Sequence, residues 1–230
     1  MFKYRKGLPE RPENIAQLPV DERGYPVPYF VAHIDGVPDF RVVDHAKVLN
    51  ATIEQKCFIC GSKLDQLFHF AMGPRSGLLM RTNHAPSHKE CIEYSLETCP
   101  FILYPNTQRR RAALPDIPLS YDTATQPARP PIYVIAHIAS QNVEIVRNPE
   151  SLICSWDTID YQFWRDDRWI TPKMAGPYIS DECERYQAEL LQIAKPSDWS
   201  QNDFNNWLQN SQKEAIQKLA RLLEWIAEHP

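Results

Sequence analysis

Alternating apolar and polar positions divide the chain into segments of distinct period. The first is YFVAHIDGVPDFRVV, in which two alternating apolar runs flank Asp35-Gly36. That dipeptide suits a two-residue turn, where both positions need positive φ. The spacing predicts strands over about Tyr29–Ile34 and Val37–Val43, with Pro38 placing the second at an edge or a bulge. YVIAHI and VEIVRN predict a second hairpin with Ser140-Gln141-Asn142 near its turn, and LICSWDTIDYQFW extends the β-rich stretch.

The last fifty or so residues change period. Ser180, followed by Asp181 and Glu182, predicts a helix start, with acids at the positive end of the dipole. Cys183, Tyr186, Leu190 and Ile193 recur at three-and-four spacing, and Pro196 closes that segment. A second helical stretch follows Ser200. Ser211 and Glu214 form a capping box that restarts the helix or sits within a bent one, and Ile216, Leu219, Leu223 and Ile226 make its apolar stripe. The class is α+β: an N-terminal β-hairpin, a treble-clef-like zinc module at about 46–103, a further hairpin, then helices. Residues 1–175 read as one β-rich domain, with 176–230 a helical segment packed on it. Residues 1–27 read as an extended arm over the core, and 105–131 as a proline-rich crossing.

Composition sharpens this picture. The 230 residues are 43% hydrophobic and 23% charged with a net charge of −4, which gives no support to a nucleic-acid coat or a membrane-surface protein. Seven glycines against 20 prolines favour proline-pinned connections over glycine hinges. No apolar run is long enough to span a bilayer, and MFKYRKGLPERPENIAQLP lacks the apolar stretch of a signal peptide. The expectation is a cytoplasmic protein. Six cysteines are too sparse here for a disulfide scaffold, and four ligands at metal spacing fit a reducing compartment better.

Those ligands are Cys57, Cys60, His88 and Cys91. Two residues between the first cysteines let a tight knuckle aim both thiolates at one ion, with Gly61 supplying a backbone conformation that side chains disfavour. Ser87 and Glu90 form a capping box, which places His88 and Cys91 on one face of the first turn of a helix. LDQLFHFAMGPRSGLLMRTNHAP, between the pairs, reads as strand, Gly-Pro turn, strand. Four protein ligands close the shell, so the expected cofactor is one structural Zn2+ per chain. Cys99 lies about 12 Å further along the helix at 1.5 Å per residue and is out of reach of the same ion. With Cys154 and Cys183 it reads as a buried thiol.

GYPVPYF, DGVPDFR, CFICG, the Gly-Pro of AMGPRSG, HAPSHKEC and CPFI occur in this order. In them the chain is similar to an uncharacterised family of bacterial and phage-encoded proteins with a CxxCG…GP…PxHxxC…CPF pattern. The resemblance covers roughly residues 18–104. It implies the same zinc ligands, a phage or mobile-element origin and no known activity.

Other chemistry-bearing residues each have a structural explanation. His69 and His84, the latter beside Asn83, stand where a ββα-metal nuclease carries a catalytic histidine. However, Phe68-His69-Phe70 lacks the usual Asp-His pair, and His69 reads as an outward or capped strand residue. His33, Asp35, Asp39, Asp44 and His45 gather around the first hairpin and could hold a second metal, although Asp35 is needed by the turn. Arg109, Arg110 and Arg111, with Lys3, Arg5, Lys6 and Arg11, are the candidate nucleic-acid contact. All six tryptophans follow residue 155, and WDTIDYQFWRDDRW mixes three of them with Asp157, Asp160, Asp166 and Asp167. Core packing and an acidic turn account for that segment better than a sugar or nucleotide pocket. The reading is a zinc-binding interaction module with a protein or nucleic-acid partner; the alternative is a metal-dependent nuclease or phosphodiesterase.

Overall fold

Asp35 and Gly36 take φ of 50° and 79°, the turn their residue types favour. They join β1 (Val31–Ile34) to β2 (Val37–Val43), antiparallel, with a bulge where the register slips between Val31 and Ala32. The computed structural model describes residues 3, 5–103, 129–148 and 151–230, so most of the proline-rich crossing falls outside the described residues. The arm before the hairpin lies on the core as expected. Its short helix α1 (Glu13–Ala16) buries Ile15, and Asn14 donates to Glu90 at 3.0 Å. After β2, Asp44 caps α2 (His45–Ile53) by accepting from the Lys47 backbone N–H.

The main sheet has four antiparallel strands in the order β3 (Leu67–Met72), β5 (Tyr133–Ala139), β8 (Tyr161–Arg165), β9 (Arg168–Ile170). Asp166 and Asp167 make the turn between the last two strands, both with positive φ. A second sheet orders β4 (Arg81–Thr82), β7 (Ser151–Ser155) and β6 (Glu144–Asn148). Segments β5 and β6, expected to form one hairpin, therefore belong to different sheets. Nearly every residue of β5 is buried, so it needs a neighbour on each side, and it takes β3 and β8. A 3₁₀ turn at Ser140–Asn142, with the Ser140 N–H donating to the Gln66 carbonyl at 2.7 Å, sends the chain to the other sheet.

Gly73-Pro74 is likewise not a hairpin turn. Gly73 caps α3 (Pro74–Leu79) with Pro74 in its first turn, where a missing N–H costs nothing. Met80 then ends the helix in the left-handed region, and β4 leaves for β7 instead of returning along β3. Gly77 is required because a Cβ there would sit 2.9 Å from Val134. Its carbonyl accepts from the buried Tyr161 hydroxyl at 2.9 Å, and Trp156 donates to that hydroxyl while stacking on Phe70. Trp156 and Trp164 are core residues, as expected.

The first C-terminal helix, α6 (Pro172–Leu190), starts eight residues before Ser180, which lies in its interior. Thr171 caps it by accepting from the Met174 N–H, and Pro172 presets the first turn, a stronger start than Ser180 offers. Residue 176 thus falls inside a helix. Helix α7 (Gln201–Glu228) is capped by Ser200 as expected and runs through Ser211 unbroken. Its buried line is Phe204, Ala215, Leu222 and Ile226, while Ile216 is 52% exposed. Ile226 and the partly buried Leu219 of the expected stripe do face the core, whereas Ala215 and Leu222 take the inward places expected of Ile216 and Leu223, with the Ala215 carbonyl 3.9 Å from Cys183 Sγ of α6.

Three polar links tie these helices to the body. Arg75 donates to Glu182 and Glu189, each at 2.7 Å; Lys218 donates to the Leu79 carbonyl at 2.6 Å; Arg221 pairs with Asp157. Among the described residues, no helix is long and apolar enough to cross a membrane.

Candidate metal centre

The first ligand pair sits on a knuckle held by backbone bonds. Cys57 N–H donates to Ser62 O at 2.7 Å, Gly61 N–H to Cys57 O at 2.8 Å, and Cys60 N–H to Cys57 Sγ at 3.4 Å. Gly61 has φ of 78°, and a Cβ added there would lie 2.7 Å from the Tyr29 ring. Only glycine meets both conditions. Tyr29 in turn donates its N–H to Ile59 O at 2.7 Å, so the knuckle is clamped from outside as well.

The second pair opens α4 (Lys89–Thr98), which a short α5 (Pro100–Leu103) follows, but not through the expected capping box. His88, not Ser87, is the N-cap, and no side chain caps the helix. The Ser87 backbone exchanges two hydrogen bonds with the His69 backbone at 2.8 and 3.2 Å, and Glu90 is taken by Asn14. The pairing with β3 sets where the helix begins. Cys91 still falls in the first turn, where the helix N-terminus favours a thiolate.

The four donor atoms lie within 4.8 Å of one another. His88 Nδ1 is 3.4 Å from Cys60 Sγ and 3.8 Å from Cys91 Sγ. A tetrahedral ion with metal–sulfur bonds of about 2.3 Å and a metal–nitrogen bond of about 2.0 Å needs N···S separations of about 3.5 Å. The donor set therefore fits one metal ion. His88 Nε2 lies 3.0 Å from the Lys63 carbonyl, to which it donates, leaving the Nδ1 lone pair for the metal. Cys57 and Cys91 are fully buried.

The crowding of the four groups also shows in their acidity. Hydrogen bonds from Cys60 and Cys91 hold the Cys57 thiol far below its ordinary range, and donating to Cys57 pushes both of those thiols up. The bond to Cys57 also raises the His88 imidazole. Three thiolates at this spacing repel one another, and a divalent cation among them removes that repulsion.

No family model, curated protein or solved structure matches the chain. The site is therefore interpreted from its own geometry. Among the described residues, Cys57, Cys60, His88 and Cys91 are the one group of three or more histidines, cysteines and acids placed to hold a metal.

The hairpin acids and histidines are engaged in other ways or stand apart. Asp35 occupies the turn, Asp39 is bound by Arg41, Asp44 caps α2, and His33 and His45 join no such group. His84 stacks on Phe58, which stacks on Phe30. Cys154 and Cys183 are buried as expected, while Cys99 is only half-buried at the C-cap of α4. Arg109, Arg110 and Arg111 lie outside the described residues.

His69 departs from expectation: it is 7% exposed and faces inward. Its partner lies 68 residues away in sequence. His137 stands opposite it in the β3–β5 register, with the two Nδ1 atoms 2.6 Å apart. A histidine amid apolar residues in each strand was the available signal, but the register that joins them was not readable. The Lys63 carbonyl, a backbone group, left no signal at all.

Proposed function

We propose that Cys57, Cys60, His88 and Cys91 hold one structural Zn2+, and that the protein is an interaction module whose binding surfaces this staple keeps in place. The observation that carries the reading is the donor set itself: three thiols and one imidazole at tetrahedral spacing. Four protein ligands leave no position for a water or a substrate, which favours a structural role over a catalytic one. The ion would join a knuckle to the start of a helix about 30 residues later, the order in which a treble clef presents its ligands. We further place the chain in the bacterial and phage-encoded family whose motifs it shares, and in the reducing cytoplasm that such a thiol cluster suits.

The partner is a protein or a nucleic acid. Affinity capture from host lysate, with and without nuclease, distinguishes the two. We expect a partner retained by the zinc-loaded protein and lost with Cys57→Ser. Cleavage of plasmid DNA or a phosphodiester reporter by the Zn2+-, Mg2+- or Mn2+-loaded protein would contradict the reading.

A further inference from the structure

Away from the cysteine cluster, the N-terminal half of α7 and the loop before it border a cleft of about 690 Å³, with Arg81 of β4 on its wall. Ligand sites span about 300–1,000 Å³. Trp199 and Trp207 supply the apolar surface, their rings 6.0 Å apart and inclined at 87°. Both are held in position. Trp207 stacks on Phe204 at 5.8 Å, and Lys195 donates to the Trp199 carbonyl at 2.7 Å. Trp199 nevertheless keeps 36% of its surface exposed, more than a core tryptophan would.

The polar lining is unspent. The side chains of Arg81, Asp198, Asn206 and Asn210 all face this cleft, and none has a hydrogen-bond or ion-pair partner among the described residues. The two other carboxylates in the lining are occupied: Ser200 donates to Asp203 at 2.6 Å, and Glu214 pairs with Lys218 at 2.9 Å. With the hydroxyls of Tyr186 and Ser211, the free groups are one cation, one anion, two amides and two hydroxyls, a mixed set of donors and acceptors.

That balance selects among ligands. A nucleotide would bring its phosphates against the carboxylates of Asp198 and Asp203, with Arg81 alone in the lining to offset them. A polyamine would meet Arg81 and leave the amide donors unused. A sugar hydroxyl both donates and accepts, and the partly positive C–H face of an all-equatorial pyranose suits the negative face of an indole. We infer that this cleft binds a neutral, gluco-configured oligosaccharide, stacked on Trp199 and Trp207 and hydrogen-bonded by Arg81, Asp198, Asn206 and Asn210.

Isothermal titration of the full chain with cellotriose, chitotriose and maltotriose, and with spermidine and AMP as controls, tests this. We expect saturable 1:1 binding of at least one trisaccharide and none of either control. Trp207→Ala should weaken it about tenfold, the upper range for one aromatic contact. Trp207 also packs on Phe204, so Asp198→Ala, at an exposed position, provides a second variant that should weaken binding without lowering the melting temperature. Absence of saturable binding by all three sugars, tighter binding of spermidine or AMP, or unchanged affinity in the Asp198 variant overturns the inference. The cleft shares no residue with the cysteine cluster, so the result does not depend on the metal reading.

Discussion

Lowering the pH should destabilise the protein through His69 by an amount that can be worked out. The ring is buried, and burial is the main cause that depresses its pKa from 6.5 to about 4, with the charges of His137, Lys89 and His88 adding to the effect. Its Nδ1 lies 2.6 Å from His137 Nδ1, so one ring donates to the other, and a proton added to both would leave two facing donors. In the unfolded chain the same histidine takes up a proton near pH 6.5. Between those values the unfolded state binds the extra proton, so the stabilising contribution is present above about pH 6.5 and lost as pH falls towards 4. The full shift corresponds to about 3 kcal/mol, of which about 2.5 kcal/mol is gone by pH 4.5. The assay is urea unfolding of the wild type and His69→Gln from pH 7.5 to 4.5. Both proteins carry the same four cysteine and histidine ligands, so acid loss of the metal largely cancels in the difference. The wild type should lose its advantage over the variant across that range. A difference that does not change with pH would refute the buried, neutral His69.

Two further substitutions probe other parts of the fold. Gly61→Ala should cost about 1–3 kcal/mol, because the new Cβ meets both a positive φ and the Tyr29 ring; a wild-type melting temperature with unchanged metal affinity would count against the clamped knuckle. Arg75→Met leaves the nearly buried Glu182 with Arg185 as its one remaining ion-pair partner among the described residues, and should cost about 1–3 kcal/mol, with amide exchange in α6 rising before exchange in the main sheet. Equal exchange rates in both proteins would show that this ion pair does not hold the helix.

The features readable from sequence were those decided by neighbours along the chain. Asp35-Gly36 needs only its own two φ angles, Ser200 only the N–H three residues on, and the Cys57–Cys60 spacing only a short knuckle. Misreadings arose where distant segments decide. Ser87 and Glu90 form a correct local capping pattern, yet β3 takes the Ser87 backbone and Asn14 takes the Glu90 carboxylate. Segments 133–139 and 144–148 both read as strands; the continuous apolar run of the first is a local sign of burial on both faces, but that β3 and β8 flank it is decided by distant segments. Helix α6 shows the converse: its start is local, because Thr171 and Pro172 together make a stronger N-terminus than Ser180 does. The His69–His137 pair spans 68 residues and depends entirely on register.

Metal content measures the central claim most directly. Elemental analysis and native mass spectrometry of protein purified without added metal should find one Zn2+ per chain in the wild type and none in Cys57→Ser or Cys91→Ser, with chelation unfolding the segment from 46 to 103. A metal-free wild type that keeps its fold, or a cysteine variant that keeps both its zinc and its stability, would contradict the structural zinc.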